Sequence, residues 1–220
     1  LLIYIATLSF NNYMPRMPGL EFVSVAVFLK LLIFVSLIIK LAKKEIKLVN
    51  TSLNWAILSF VSVVLISTLV ASNLNYAFSF IYDLFHVLIL YFLIIHLINT
   101  EKLIRWTILI LVLSGFIAAL FGISQYLLGF GLLNNRITGT LENPNFFSVF
   151  LNFLIPLSLA LFFIERRFIK KIFFISVLVI LFIAHFLTAS RGGLISLFVI
   201  LFLLLLKQKY KFSILSIIPL

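Results

Sequence analysis

WTILILVLSGFIAALFGISQYLL, residues 106–128, contains no charged side chain from Trp106 to Leu128. A helix rises about 1.5 Å per residue, so roughly 20 apolar residues cross a hydrocarbon core of about 30 Å. Backbone amides find no water there, and a run of this kind satisfies them only as a helix. Charge gathers just before it, at Glu101, Lys102 and Arg105, and a polar segment, GFGLLNNRITGTLENPN (129–145), follows it. Reading outward, similar apolar runs lie at about 1–10, 20–40, 53–72, 77–98, 145–164, 172–189, 191–206 and 212–220. The expected fold is all-α, a polytopic transmembrane helical bundle of about eight to nine membrane segments. Leu1 already lies in an apolar run and Leu220 in another that starts near Phe212, so the chain is expected to be one transmembrane domain, 1–220, truncated at both ends.

Composition agrees. The hydrophobic fraction is 64%, the mean hydropathy +1.30, and charged residues make up 10%. Soluble domains sit near about half apolar and a quarter charged, so a soluble globular domain is excluded. The chain has no Cys, which removes disulfides and thiolate chemistry. A net charge of +11 would suit nucleic acid, but its placement points elsewhere. Every second linker is basic: Lys40, Lys43, Lys44 and Lys47; Lys102 and Arg105; Arg166, Arg167, Lys170 and Lys171; Lys207, Lys209 and Lys211. The linkers between them carry only Arg16, Arg136 and Arg191. Cytoplasmic loops of membrane proteins show this bias, so no nucleic-acid partner is expected, and 129–145 and 188–193 are expected on the outer face.

Those two outer segments carry the distinctive chemistry. Asn143 is a good N-cap and Pro144 suits a first helical position; Ser190 can likewise cap a helix starting at Arg191. Two helix N-termini on one face, with free N–H groups and positive dipole ends, favour anions. Arg136 and Arg191 add fixed charge in a fork that matches phosphate oxygens. Gly192 and Gly193 leave the backbone open to close approach. The strictly apolar run Leu194–Leu206 covers only about 20 Å, which sets Arg191 slightly below the outer interface unless the inner lysines snorkel. An arginine at a helix end commonly just contacts lipid headgroups or carbonyls. Glu142 could orient Arg136, contact an acceptor sugar, or simply be a first-turn acid.

GISQYLLG (122–129), RITGTLENPNFFSVFLNFLIPLSLAL (136–161) and LTASRGGLISL (187–197) together resemble the O-antigen ligase / O-antigen polymerase superfamily. The likeness covers about 122–200, an O-antigen ligase-like region, and earlier helices match only in number and apolarity. It implies a GT-C-like, inverting, metal-independent glycosyltransferase without a cofactor, in the bacterial inner (cytoplasmic) membrane. Such an enzyme takes a glycan from an undecaprenyl-pyrophosphate carrier and passes it to lipid A-core, another glycan or another acceptor. The resemblance makes Arg191 the arginine that grips pyrophosphate, with Arg136 and Asn145 nearby. It also implies that the catalytic residues, including a histidine that activates the acceptor, lie beyond Leu220, so that 1–220 alone is expected to be inactive.

Other polar residues have plainer readings. Asp83 and His86 share a helix face and could handle protons, or be satisfied within the bundle. Lys30 lies within a span, and an ion pair with Asp83 would relieve both. His185 near the outer face reads as a hydrogen-bonded helix residue, and His96 near the inner end suggests no catalysis. Gly115 with Ala118–Ala119 permits close helix packing. No acidic cluster supports a metal. Two other classes stay open: a transporter or flippase-like protein, which tends to show midplane charges, and a non-catalytic subunit of polysaccharide export.

Overall fold

A computed structural model describes residues 1–7, 16–17, 20–45 and 49–209. In chain order the elements are α1 (Leu2–Thr7), β1 (Arg16–Met17), β2 (Leu20–Ser24), α2 (Val25–Ala42), α3 (Leu53–Leu69), α4 (Leu74–Leu97), α5 (Glu101–Leu128), α6 (Pro144–Ile164), α7 (Phe168–Leu187) and α8 (Arg191–Lys209). The fold is an all-helical bundle apart from the short antiparallel pair β1–β2, with Met17 opposite Leu20. Among the described residues four helices, α4 to α7, are long and apolar enough to cross a membrane. The apolar helices over Leu53–Leu69 and Arg191–Leu206 are shorter. The span expected over 20–40 starts later: its first five residues, which include Glu21, form β2, and the helix begins at Val25. The run expected at 212–220 lies outside the described residues, as do positions 8–10 of the first run.

The helices fall into two compact units, one over Leu1 and Arg16–Ile104, the other over Leu2–Pro15 and Arg105–Leu220. In the first, α4 packs against both α2 and α3. Leu37, Ile89 and Leu93 form its core, with Phe34 and Phe92 edge-to-face beside them. Lys30 is only 4% exposed and its ammonium meets Nδ1 of His86. Asp83 stays exposed, and no ion pair joins it to Lys30 among the described residues. The expected partner of Lys30 was therefore one turn away from the actual one, since α4 aims His86 rather than Asp83 at α2. His96 accepts from the Val49 N–H at 3.2 Å and bonds the Phe92 carbonyl at 2.9 Å, a structural role.

The second unit packs α6 against α7 and α8. Its core runs from Val112, Ala118 and Ala119 of α5 through Phe147, Leu151, Leu154 and Ile155 of α6 to Val177, Leu181 and Ala184 of α7. Large apolar side chains on the outer faces of these helices stay exposed, as Ile117, Phe153, Ile183 and Phe198 do. In water such a surface would aggregate; in a bilayer it is the solvent-facing side. Gly115 lies against Leu154, whose methyl would stand 2.0 Å from an added Cβ, so the small-residue stretch of α5 is a packing seam.

Candidate functional site

Helix α5 ends at Leu128, and the chain returns toward it through 129–143 before α6 starts. Asn134 and Asn135 both take positive φ, 51° and 60°, between the paired residues Leu133 and Arg136. Reciprocal backbone bonds of 3.0 and 3.1 Å close this two-residue hairpin. Asn tolerates the left-handed region that such tight turns demand, so the Asn–Asn pair sets the angle at which Arg136 leaves the loop.

Gln125, 1% exposed, fixes the next stretch. Its Oε1 accepts from the N–H of Gly139 at 2.9 Å and of Thr138 at 3.3 Å, and its Nε2 donates to the Gly139 carbonyl at 3.0 Å. Gly139 takes φ +58°, and the Phe147 ring lies 2.4 Å from where a Cβ would stand. Both the conformation and the space exclude a side chain there. The Ile137 N–H donates to the Leu187 carbonyl at 3.3 Å, which ties the loop to the end of α7.

Arg136 is then clamped between two helix ends. Its Nε donates to the Thr188 carbonyl at 2.6 Å, at the C-cap of α7, and its Nη2 donates to Asn145 Oδ1 at 2.8 Å, in the first turn of α6. The same Asn145 oxygen accepts from Ser190 Oγ at 3.0 Å. Ser190 Oγ in turn accepts from the Gly193 N–H at 3.2 Å, which makes Ser190 the cap of α8. Asn143 caps α6, accepting from the Asn145 N–H at 2.8 Å, with Pro144 at its first position. The two helix N-termini anticipated from sequence are thus side by side, joined through Asn145 and Ser190.

Among the described residues no carboxylate pairs with Arg136, and the ion pair is Lys170 with Glu165. Glu142 is exposed and does not orient Arg136; Asn145 and the Thr188 carbonyl do. Arg191 is exposed at the first position of α8 and its side chain makes no hydrogen bond among the described residues. Gly192 is open, with nothing within 4 Å of an added Cβ, whereas a Cβ on Gly193 would lie 1.7 Å from Ser148 Oγ. Close approach at the glycine pair is therefore made by α6 at Gly193, and Gly192 leaves the surface beside Arg191 clear.

Beneath the turn lies a polar layer of which only His185 is expected from sequence. Ser148 Oγ meets His185 Nε2 at 3.2 Å, and Asn152 Nδ2 donates to the Gly193 carbonyl at 2.9 Å and to Ser196 Oγ at 2.6 Å. His185 is fully buried, so it is the hydrogen-bonded helix residue expected. The signal for this layer was present as the i, i+3, i+7 spacing of Asn145, Ser148 and Asn152, one face of α6. Ala189, at φ 47°, takes the left-handed conformation that turns the chain from α7 into α8. The described residues contain no group of three or more His, Cys, Asp or Glu able to hold a metal ion.

Taken with the spans, this defines a multi-span α-helical membrane protein with a cationic polar junction at one end of its second helical unit. Comparison of the chain with protein-family models, with curated proteins and with solved structures finds no match.

Proposed function

We propose that the protein is a membrane glycosyltransferase of the O-antigen ligase or polymerase type. It takes a glycan from an undecaprenyl-pyrophosphate carrier and passes it to lipid A-core, a second glycan or another acceptor. The reading further includes a GT-C-like bundle of eight to nine segments in a bacterial cytoplasmic membrane, with 129–145 and 188–193 on the outer face.

The observation that carries it is the Arg136 guanidinium, held by Asn145 and Thr188 at the junction of two capped helix N-termini, with no carboxylate among the described residues to neutralise it. Such a junction suits an anion. Arg136 and Arg191 would take up the charge of the departing pyrophosphate as the acceptor oxygen displaces it at the anomeric carbon and the C–O bond breaks. Fixed guanidinium charge does this without a metal. His185 is buried against Ser148 and does not serve as the base that takes the acceptor's proton.

A second reading, a transporter or flippase-like protein, draws on the buried Lys30 and its contact with His86. The two separate in proteoliposomes loaded with an undecaprenyl-pyrophosphate-linked glycan and its acceptor. Release of free undecaprenyl pyrophosphate by the full-length protein, lowered at least about 100-fold by Arg136→Ala and unchanged by Lys30→Ala, supports the transferase. Movement of the intact lipid-linked glycan across the bilayer, dependent on Lys30 and without release, supports the transporter.

A further inference from the structure

The connection between α6 and α7 lies at the other end of α6 from Asn145, about 30 Å away along a helix of 21 residues. That is the thickness of a hydrocarbon core, so this elbow stands at the opposite membrane surface. It carries Arg166, Arg167, Lys170 and Lys171 within six residues of Glu165. Glu165 is already committed. Its Oε1 accepts from the N–H groups of Arg166 and Arg167, each at 3.1 Å, and its Oε2 lies 3.6 Å from Lys170 Nζ. Lys171 is drawn over the Phe162 ring, 5.6 Å from its centre. Arg166, Arg167 and Lys171 are left without an acidic partner among the described residues.

The apolar residues between these cations are turned outward. Phe168 and Ile169 are 76% and 81% exposed, at the first turn of α7. That turn has no capping side chain and no acid, so its free N–H groups and positive dipole end add to the field of the cations. A surface meant for water would not present an aromatic and an isoleucine among arginines. One meant for the interior of the bilayer would not carry three unpaired charges. Cations at headgroup level with apolar side chains beside them match one chemistry, a phosphate ester bearing acyl chains.

We infer that the α6–α7 elbow is a binding site for anionic phospholipid, with Arg166, Arg167 and Lys171 on the headgroup phosphate and Phe168 and Ile169 against its acyl chains. The site does not depend on the transferase reading, because it shares no residue with the Arg136 junction. It gives the second unit an anchor at the surface opposite that junction.

The test is native mass spectrometry of the full-length protein in neutral detergent with equal amounts of phosphatidylglycerol and phosphatidylcholine. Wild type should retain phosphatidylglycerol preferentially. The triple variant Arg166→Gln, Arg167→Gln, Lys171→Gln should lower that preference at least about tenfold, since each basic residue near a membrane surface adds to the attraction for anionic lipid. Phe168→Ser with Ile169→Ser should also weaken retention, with every charge intact. Removing the same charge elsewhere, by Lys40→Gln, Lys43→Gln and Lys44→Gln, should leave it unchanged. The site is overturned if the elbow variants retain the lipid normally, or if both charge variants lose it equally. Displacement of the lipid by inorganic phosphate would also overturn it, since the site would then take a free anion.

Discussion

Asn145 Oδ1 accepts from Arg136 Nη2 at 2.8 Å and from Ser190 Oγ at 3.0 Å, so one amide oxygen joins the loop arginine, the first turn of α6 and the cap of α8. An amide here holds the guanidinium without cancelling its charge. Asn145→Asp would keep the geometry but add a carboxylate that neutralises Arg136. The expected result is an unchanged or higher melting temperature together with at least about a tenfold loss of affinity for pyrophosphate-bearing lipid. Asn145→Leu should instead lower stability by about 1–2 kcal/mol, because it removes both hydrogen bonds. Thermal unfolding and lipid titration on the same samples separate the two effects.

Gln125 is the support of the loop that carries Arg136. Gln125→Leu leaves the buried N–H of Gly139 without its 2.9 Å partner and breaks the bond to the Gly139 carbonyl. A buried polar group left unmade costs about 1–3 kcal/mol, so the variant should unfold earlier and its 129–142 loop should be cut faster in limited proteolysis. Equal cleavage rates in variant and wild type would show that the loop holds itself.

The adjacent glycines of α8 should answer differently to the same substitution. Gly193→Ala sets a methyl 1.7 Å from Ser148 Oγ and should cost about 1–3 kcal/mol through overpacking. Gly192→Ala meets nothing within 4 Å and should change stability by less than about 0.5 kcal/mol. Thermal unfolding of the two variants side by side reads the difference directly.

Acid should loosen the α6–α7 elbow. Backbone N–H donation from Arg167, with smaller help from Lys170 and from the Arg166 N–H, holds the Glu165 carboxyl below the usual carboxylate range. A carboxyl whose folded pKa is depressed stabilises above its unfolded pKa and loses that contribution as pH falls through the folded one. Wild type should therefore be the more stable at neutral pH, and Glu165→Gln should lose that margin. The two melting temperatures should converge as pH drops below the ordinary carboxylate range. A constant difference across that range would mean that Glu165 acts through its shape and not its charge.

Much of this was legible in the sequence, for physical reasons. The uncharged run 106–128 needs a helix in a bilayer, and α5 covers it from Glu101 to Leu128. Asn143–Pro144 and Ser190 follow local capping rules that tertiary packing rarely overrides, and both caps form as expected. What sequence could not supply was the choice among neighbours on one face. Asp83 and His86 lie one turn apart, and only the rotation of α4 against α2 decides that His86 meets Lys30. Glu142 and Asn145 both lie within about ten residues of Arg136, and the folded chain gives it Asn145. Gln125 acts across 14 residues on Gly139, a pairing that no local pattern encodes. The strand at Leu20–Ser24 displaced a helix start because hydropathy alone does not distinguish an extended apolar run from a helical one.

The most direct test of the account is equilibrium binding of undecaprenyl pyrophosphate to the full-length protein, wild type against Arg136→Ala and Arg191→Ala, with the monophosphate as comparison. Each substitution should weaken pyrophosphate binding at least about tenfold, and wild type should prefer pyrophosphate to monophosphate. Equal affinity in wild type and both variants would contradict it, and the cationic junction would then be a structural clamp between helix ends.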